Sequence, residues 1–204
     1  MPPLARILLH SSASAIMIYG YKSLQSLPVN DFIEQQYGGH LQYLTIQGLF
    51  IACAAMTFSL LKDLFPSATV LGPLKRILLI VSYASLDCHF DGEPSSSSDS
   101  PQFIRIPLRT DISLHAVPAI TLLADFLLFE RKYTKNEVLY GAPAVSLGYS
   151  ALYAWWVEHC ATFNNGRFPY PFLTDNPPEI RLAIYVGAGT LALSSFWLIN
   201  RLHA

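Results

Sequence analysis

Thr45 stands at the mouth of a long apolar run, within YGGHLQYLTIQGL at residues 37–49. A threonine hydroxyl becomes a nucleophile when a neighbouring base takes its proton. Few residues elsewhere could supply bases or orienting acids. His115, Asp87, His89, Asp111, Glu158 and His159 lie near the ends of other apolar runs. Titratable groups in membrane helices are costly unless paired or hydrated, so they carry a functional reading by default. Each also has a simpler role. A threonine in such a helix commonly bonds back to the carbonyl four residues earlier. A histidine near a helix start often bonds a neighbouring backbone group. Glu158 and His159 could be solvated at the interface, and Trp155 and Trp156 suit an aromatic belt as well as a substrate wall. The segment GYSAL at residues 148–152 opens like a nucleophile elbow, but it lacks the last glycine and any preceding strand, and is excluded.

Composition fixes where these residues must sit. Of 204 residues, 52% are hydrophobic and 13% charged, against about 25% charged in soluble domains. Residues 41–61, 138–157 and 182–200 carry no charged side chain. Each run reaches the roughly 20 apolar residues a membrane span needs. Apolar residues run on rather than alternate, which argues against a β-barrel. The expectation is an all-α polytopic membrane protein, one domain of about six helices at 4–24, 43–65, 73–89, 112–130, 138–159 and 180–200. The first is read as an uncleaved span rather than a signal peptide. Pro118 should kink the fourth. The polar stretch PSSSSDSP at 94–101 is expected to be disordered.

Six spans place both termini on one side of the membrane. Arg6, Lys62, Lys75, Arg76, Arg131, Lys132, Lys135 and Arg201 fall on that side, and Lys22, Arg105, Arg109, Arg167 and Arg181 on the other. This bias predicts cytoplasmic termini. Thr45, His115, Asp87, His89, Glu158 and His159 then gather at one depth on the opposite side. Asp125 lies deeper, as a structural polar contact or an interfacial residue near Arg131 and Lys132. With a net charge of −1 and no basic stripe, nucleic acid is excluded as a partner. Cys53, Cys88 and Cys160 show no zinc spacing, so neither a metal nor a cofactor is expected.

Four segments in this order resemble the FAR-17a/AIG1-like membrane proteins. YGGHLQYLTIQGL is similar to the family's YGG-x3-YLT entrance to its second helix. FDGEP at 90–94 is similar to its acidic turn, LHAVPAI at 114–120 to its histidine-bearing helix, and WWVEHCATFNNGRFPYPFL at 155–173 to its W-x-x-x-H…YPFL segment. The resemblance implies an intramembrane threonine hydrolase of fatty acid esters of hydroxy fatty acids. Thr45 matches the family's threonine and His115 its histidine. The Ser-rich insert and the short third helix depart from the pattern. On this resemblance Thr45 is the expected nucleophile and His115 the base. Asp87, Asp111 and Glu158 remain alternatives for an orienting acid, and Trp155 and His159 are candidates for the substrate wall. The expected partner is a lipid ester drawn from the bilayer of the endoplasmic reticulum or plasma membrane. The rival expectation is a non-catalytic multi-pass protein: a lipid-binding scaffold, a receptor-like partner or a small transporter. A transporter would want broken helices near the midplane, whereas these polar groups cluster at one end.

Overall fold

The structure, a computed structural model, describes residues 3–68, 71–86 and 106–203. Among these residues there are helices and no strands. Helix α1 spans Pro3–Gln25, α2 Val29–Glu34, α3 Leu44–Leu64 and α4 Leu71–Leu86. The short α5, Leu108–Asp111, runs through a π turn at Ile112–Ala116 into α6, Val117–Phe129. A second π turn, Glu137–Gly141, leads into α7, Ala142–Phe163; α8 is Pro171–Thr174 and α9 is Pro178–Leu202. A helix therefore lies over each of the six expected stretches. The fourth starts earlier than expected, and the fifth ends later. Residues 87–89 and the serine-rich stretch at 94–101 lie outside the described residues.

Both π turns have the same cause. Pro118 and Pro143 sit within the first two residues of α6 and α7. A proline has no N–H to donate, and its ring crowds the carbonyl four residues back. The backbone answers by widening the turn just before it, at Ile112–Ala116 and at Glu137–Gly141. The kink expected at Pro118 thus takes the form of a π turn that holds His115.

Among the described residues three helices are long and apolar enough to cross a membrane: Leu44–Leu64, Leu108–Phe129 and Pro178–Leu202, with mean hydropathies of 1.9, 1.9 and 1.7. Helix α1 carries His10, Ser11, Ser12 and Ser14, and α4 is described over 16 residues. Leu182, Val186, Leu191 and Leu198 of α9 lie exposed, a surface that suits lipid tails rather than water.

The core forms where small residues let helices approach. Gly48, Ala52, Ala55, Met56 and Ser59 are buried along α3, at the three- and four-residue spacing of one helix face. That helix packs chiefly on α4 and α1. Met17, Leu49, Leu79, Leu122, Phe126 and Phe196 complete the main cluster. Gly20 of α1 sits so close to the π turn that a Cβ there would stand 2.7 Å from Ser113 Cβ. Gly38 adopts φ 88, and a Cβ there would meet Cys160 Sγ on α7 at 2.6 Å. Only glycine fits that turn, which seats the loop before α3 against α7.

Candidate functional site

Thr45 is the second residue of α3, half-buried. It continues upward the buried face of Gly48, Ala52 and Met56, so it points into the bundle. The first N–H groups of a helix have no partner within the helix. Here Leu44 N–H donates to Tyr170 Oη at 3.0 Å, and Ile46 and Gln47 N–H both donate to Tyr43 O at 3.1 Å. Neither the N–H nor the hydroxyl of Thr45 has a hydrogen bond among the described residues. Other threonines behave as the simple role requires: Thr57, Thr121 and Thr190 each donate to the carbonyl four residues earlier. For Thr45 that carbonyl belongs to Leu41, which already accepts from Gln47 Nε2 at 2.7 Å and Trp156 Nε1 at 3.0 Å.

His115 lies in the first π turn. Its Nδ1 stands 2.8 Å from Asp111 Oδ1 and 3.2 Å from Asp111 O. Carboxylate and carbonyl oxygens only accept, so Nδ1 carries a proton toward Asp111. Of the described acids the sequence offered, Asp111 is the one that bonds His115. Glu158 is taken elsewhere: it accepts both arms of Arg181, at 2.7 and 2.8 Å, and the Tyr185 hydroxyl at 3.0 Å. Asp87 and His89 lie outside the described residues.

Trp155 and His159 form a separate aromatic group. Their rings stack with centroids 5.5 Å apart, and His159 also meets Tyr37 and Phe163 edge-on. Trp155 is exposed and lines a largely apolar surface groove with Phe50, Ile51 and Leu152. On the wheel of α3, Gln47 and Phe50 of this groove lie away from the Thr45 side. His40 is buried within a short 3-10 turn, Gly39–Gln42, where Nε2 donates to Asn30 Oδ1 at 2.7 Å. Burial lowers its pKa, against a smaller upward pull from Glu34.

Thr45 and His115 occupy helices that pack together, toward the same end of the bundle. They do not share one depth. Asp63 of α3 and Asp125 of α6 both bond His10, at 2.7 and 2.8 Å, and so mark a common level. From there Thr45 is about five turns away and His115 about three, which sets His115 roughly 10 Å deeper. Among the described residues no hydrogen bond joins the two.

The opposite end holds a group the sequence did not reveal. His10 lies between Asp63 and Asp125; Lys75 Nζ is 2.8 Å from Asp125 Oδ2 and 2.9 Å from Glu130 Oε1. Arg76 pairs with Glu137 at 3.0 Å and stacks over Tyr133 at 3.8 Å. His10, Lys75, Arg76 and Asp125 are all buried. Both nitrogens of His10 thus face a carboxyl oxygen. Asp125 is thus a buried polar contact between helices. Burial alone would raise Glu137, but bonds from Thr134 and Arg76 outweigh it and hold the carboxyl down at about 2. Among the described residues no group of three or more His, Cys, Asp or Glu side chains is placed to hold a metal ion.

Comparison with known proteins bears on both ends. The family model for FAR-17a/AIG1-like proteins matches residues 93–204, a stretch that includes His115, Asp125 and Glu158 but begins after Thr45. A UPF0641 membrane protein of Schizosaccharomyces pombe is 25% identical over 206 residues, covering 96% of this chain and 89% of that protein. No solved structure matches. With its apolar, outward-facing helices and this match over more than half its length, the chain belongs to the FAR-17a/AIG1-like family and is an integral membrane protein.

Proposed function

We propose that this protein is an intramembrane hydrolase of fatty acid esters, with Thr45 as nucleophile, His115 as general base and Asp111 as the group that orients it. Fatty acid esters of hydroxy fatty acids, or related lipid esters, are the proposed substrates. One observation carries the reading. Asp111 fixes the tautomer of His115, while the adjacent helix presents a threonine whose hydroxyl and amide are both without a hydrogen bond among the described residues.

In the proposed cycle Nε2 of His115 takes the Thr45 hydroxyl proton as Oγ1 attacks the ester carbonyl. The oxyanion forms beside the Thr45 N–H, an unbonded donor at the start of a helix, where negative charge is favoured. The ester C–O bond then breaks, and the imidazolium gives its proton to the departing hydroxy acid. Water hydrolyses the acyl-threonine with the same base, releasing the fatty acid and restoring the hydroxyl. The offset in depth is reduced because helical side chains lean toward the N-terminus, which carries the imidazole toward Thr45. A water molecule or the ester itself spans the rest. We place both termini in the cytoplasm of an endoplasmic reticulum or plasma membrane, in line with the cations gathered at the His10 end.

The competing reading is a non-catalytic lipid-binding scaffold, and the missing Thr45–His115 bond favours it. Hydrolysis of a fatty acid ester of a hydroxy fatty acid by purified protein separates the two. The hydrolase reading expects turnover that Thr45→Ala and His115→Ala each abolish while expression persists. A scaffold gives no turnover, or turnover that both substitutions leave unchanged.

A further inference from the structure

At the charged end of the bundle a cavity of about 540 Å³ opens among α4, the end of α6 and the start of α7. Ile77, Ile80, Phe129 and Val145 form its apolar wall, and Lys62, Arg76, Glu130, Arg131 and Glu137 are its charged lining. Its acids are already occupied. Glu137 accepts Arg76 Nε at 3.1 Å and Nη2 at 3.0 Å, and the Thr134 N–H and hydroxyl at 2.7 and 2.8 Å. Glu130 faces Lys75 at 2.9 Å and Arg76 at 3.4 Å. The cations at the mouth are not so occupied. Lys62 reaches Glu130 only at 3.5 Å, and Arg131 reaches Glu137 only at 3.5 Å; their side chains are 43% and 65% exposed. An ammonium has three donors and a guanidinium five, so the surplus at this opening is positive donor capacity.

The volume lies within the range of roughly 300–1,000 Å³ typical of small-molecule pockets. Cationic donors beside an apolar wall, at one end of a membrane-embedded bundle, match one kind of occupant. We propose that this cavity binds a lipid whose head is a single anionic group, phosphate or carboxylate. Lys62 and Arg131 hold the head, and the acyl chain lies against Ile77, Ile80 and Phe129. The site stands at the far end of the bundle from Thr45, so it does not depend on the hydrolase reading.

The test uses the full chain in a non-ionic detergent, with binding read by native mass spectrometry and by thermal shift. The probes are oleoyl lysophosphatidic acid, oleate, oleoyl lysophosphatidylcholine and inorganic phosphate. The proposal expects at least one of the two anionic lipids to bind, and the choline lipid to bind about tenfold more weakly or not at all. Lys62→Gln with Arg131→Gln weakens anionic binding by about tenfold or more, while Thr45→Ala leaves it unchanged. If the double variant unfolds, the single substitutions are read instead, each expected to weaken binding by about threefold. Equal retention of the choline lipid, displacement by inorganic phosphate at equal concentration, or variants that bind like the parent would each overturn it.

Discussion

The two ends of this bundle treat their polar groups in opposite ways. At the His10 end nearly every charge has a close partner, and His10, Lys75, Arg76 and Asp125 are buried. At the Thr45 end His115 and Asp111 are partly exposed. His115 bonds Asp111 through Nδ1, and the Thr45 hydroxyl and amide have no hydrogen bond among the described residues. A dense network of paired charges ties helices together, whereas a hydroxyl without a hydrogen bond beside an oriented imidazole is what the proposed chemistry requires. The contrast fits stability at one end and, under the proposed hydrolase, reactivity at the other.

The largest expected effect breaks the stable end. Asp125→Ala removes one of the two acids that His10 and Lys75 each meet, leaving Asp63 and Glu130, and breaking a buried pair costs about 3–5 kcal/mol. Thermal unfolding in detergent should show a large fall in midpoint or a failure to accumulate; a parent-like midpoint would mean that the network does not hold the fold. Asp111→Asn should do the reverse. The midpoint stays close to the parent, because Asp111 is partly exposed. Hydrolysis falls by about 10²–10⁴-fold, the scale seen when a triad acid stops fixing its histidine. Activity and midpoint measured on the same preparation decide whether the two ends are separable.

The legible part of the fold was the part written in local pattern. Uninterrupted apolar runs marked the long helices to within a few residues. Pro118 signalled a break, but not that the break would be a π turn, since that depends on how the freed carbonyls find partners. His10 left no local trace. Its partners, Asp63 and Asp125, are 53 and 115 residues away, and a lone histidine in a serine-rich helix gives no spacing to read. Lys75 served only as an orienting charge in the sequence and proves buried against Asp125. Thr45 and His115 were found through motif resemblance. Their difference in depth was hidden, because depth is set by how α3 and α6 register against α1.

Acid should blunt the contrast by a smaller amount. The Glu137 carboxyl is held at about 2, below its ordinary 4.5. A lowered folded pKa contributes stability that is complete above the unfolded value and is lost as pH falls from about 4.5 toward 2. Glu137→Gln should therefore flatten the acid limb of the stability–pH curve over that window; an unchanged limb would assign the loss to other carboxylates. Smaller still, Glu158→Gln weakens a bidentate pair that is partly solvent-exposed. It should cost about 1 kcal/mol or less and leave hydrolysis at the parental rate. A loss of hydrolysis would return Glu158 to the candidate acids in place of Asp111.

Covalent capture of the nucleophile tests the central claim most directly. The purified chain is treated with a lipid fluorophosphonate, and the modified residue is located by peptide mass spectrometry. The account predicts phosphonylation at Thr45. It also predicts that the label disappears in Thr45→Ala and falls steeply in His115→Ala, with the thermal midpoint preserved in both. A label on another residue, or undiminished labelling in Thr45→Ala, would contradict it.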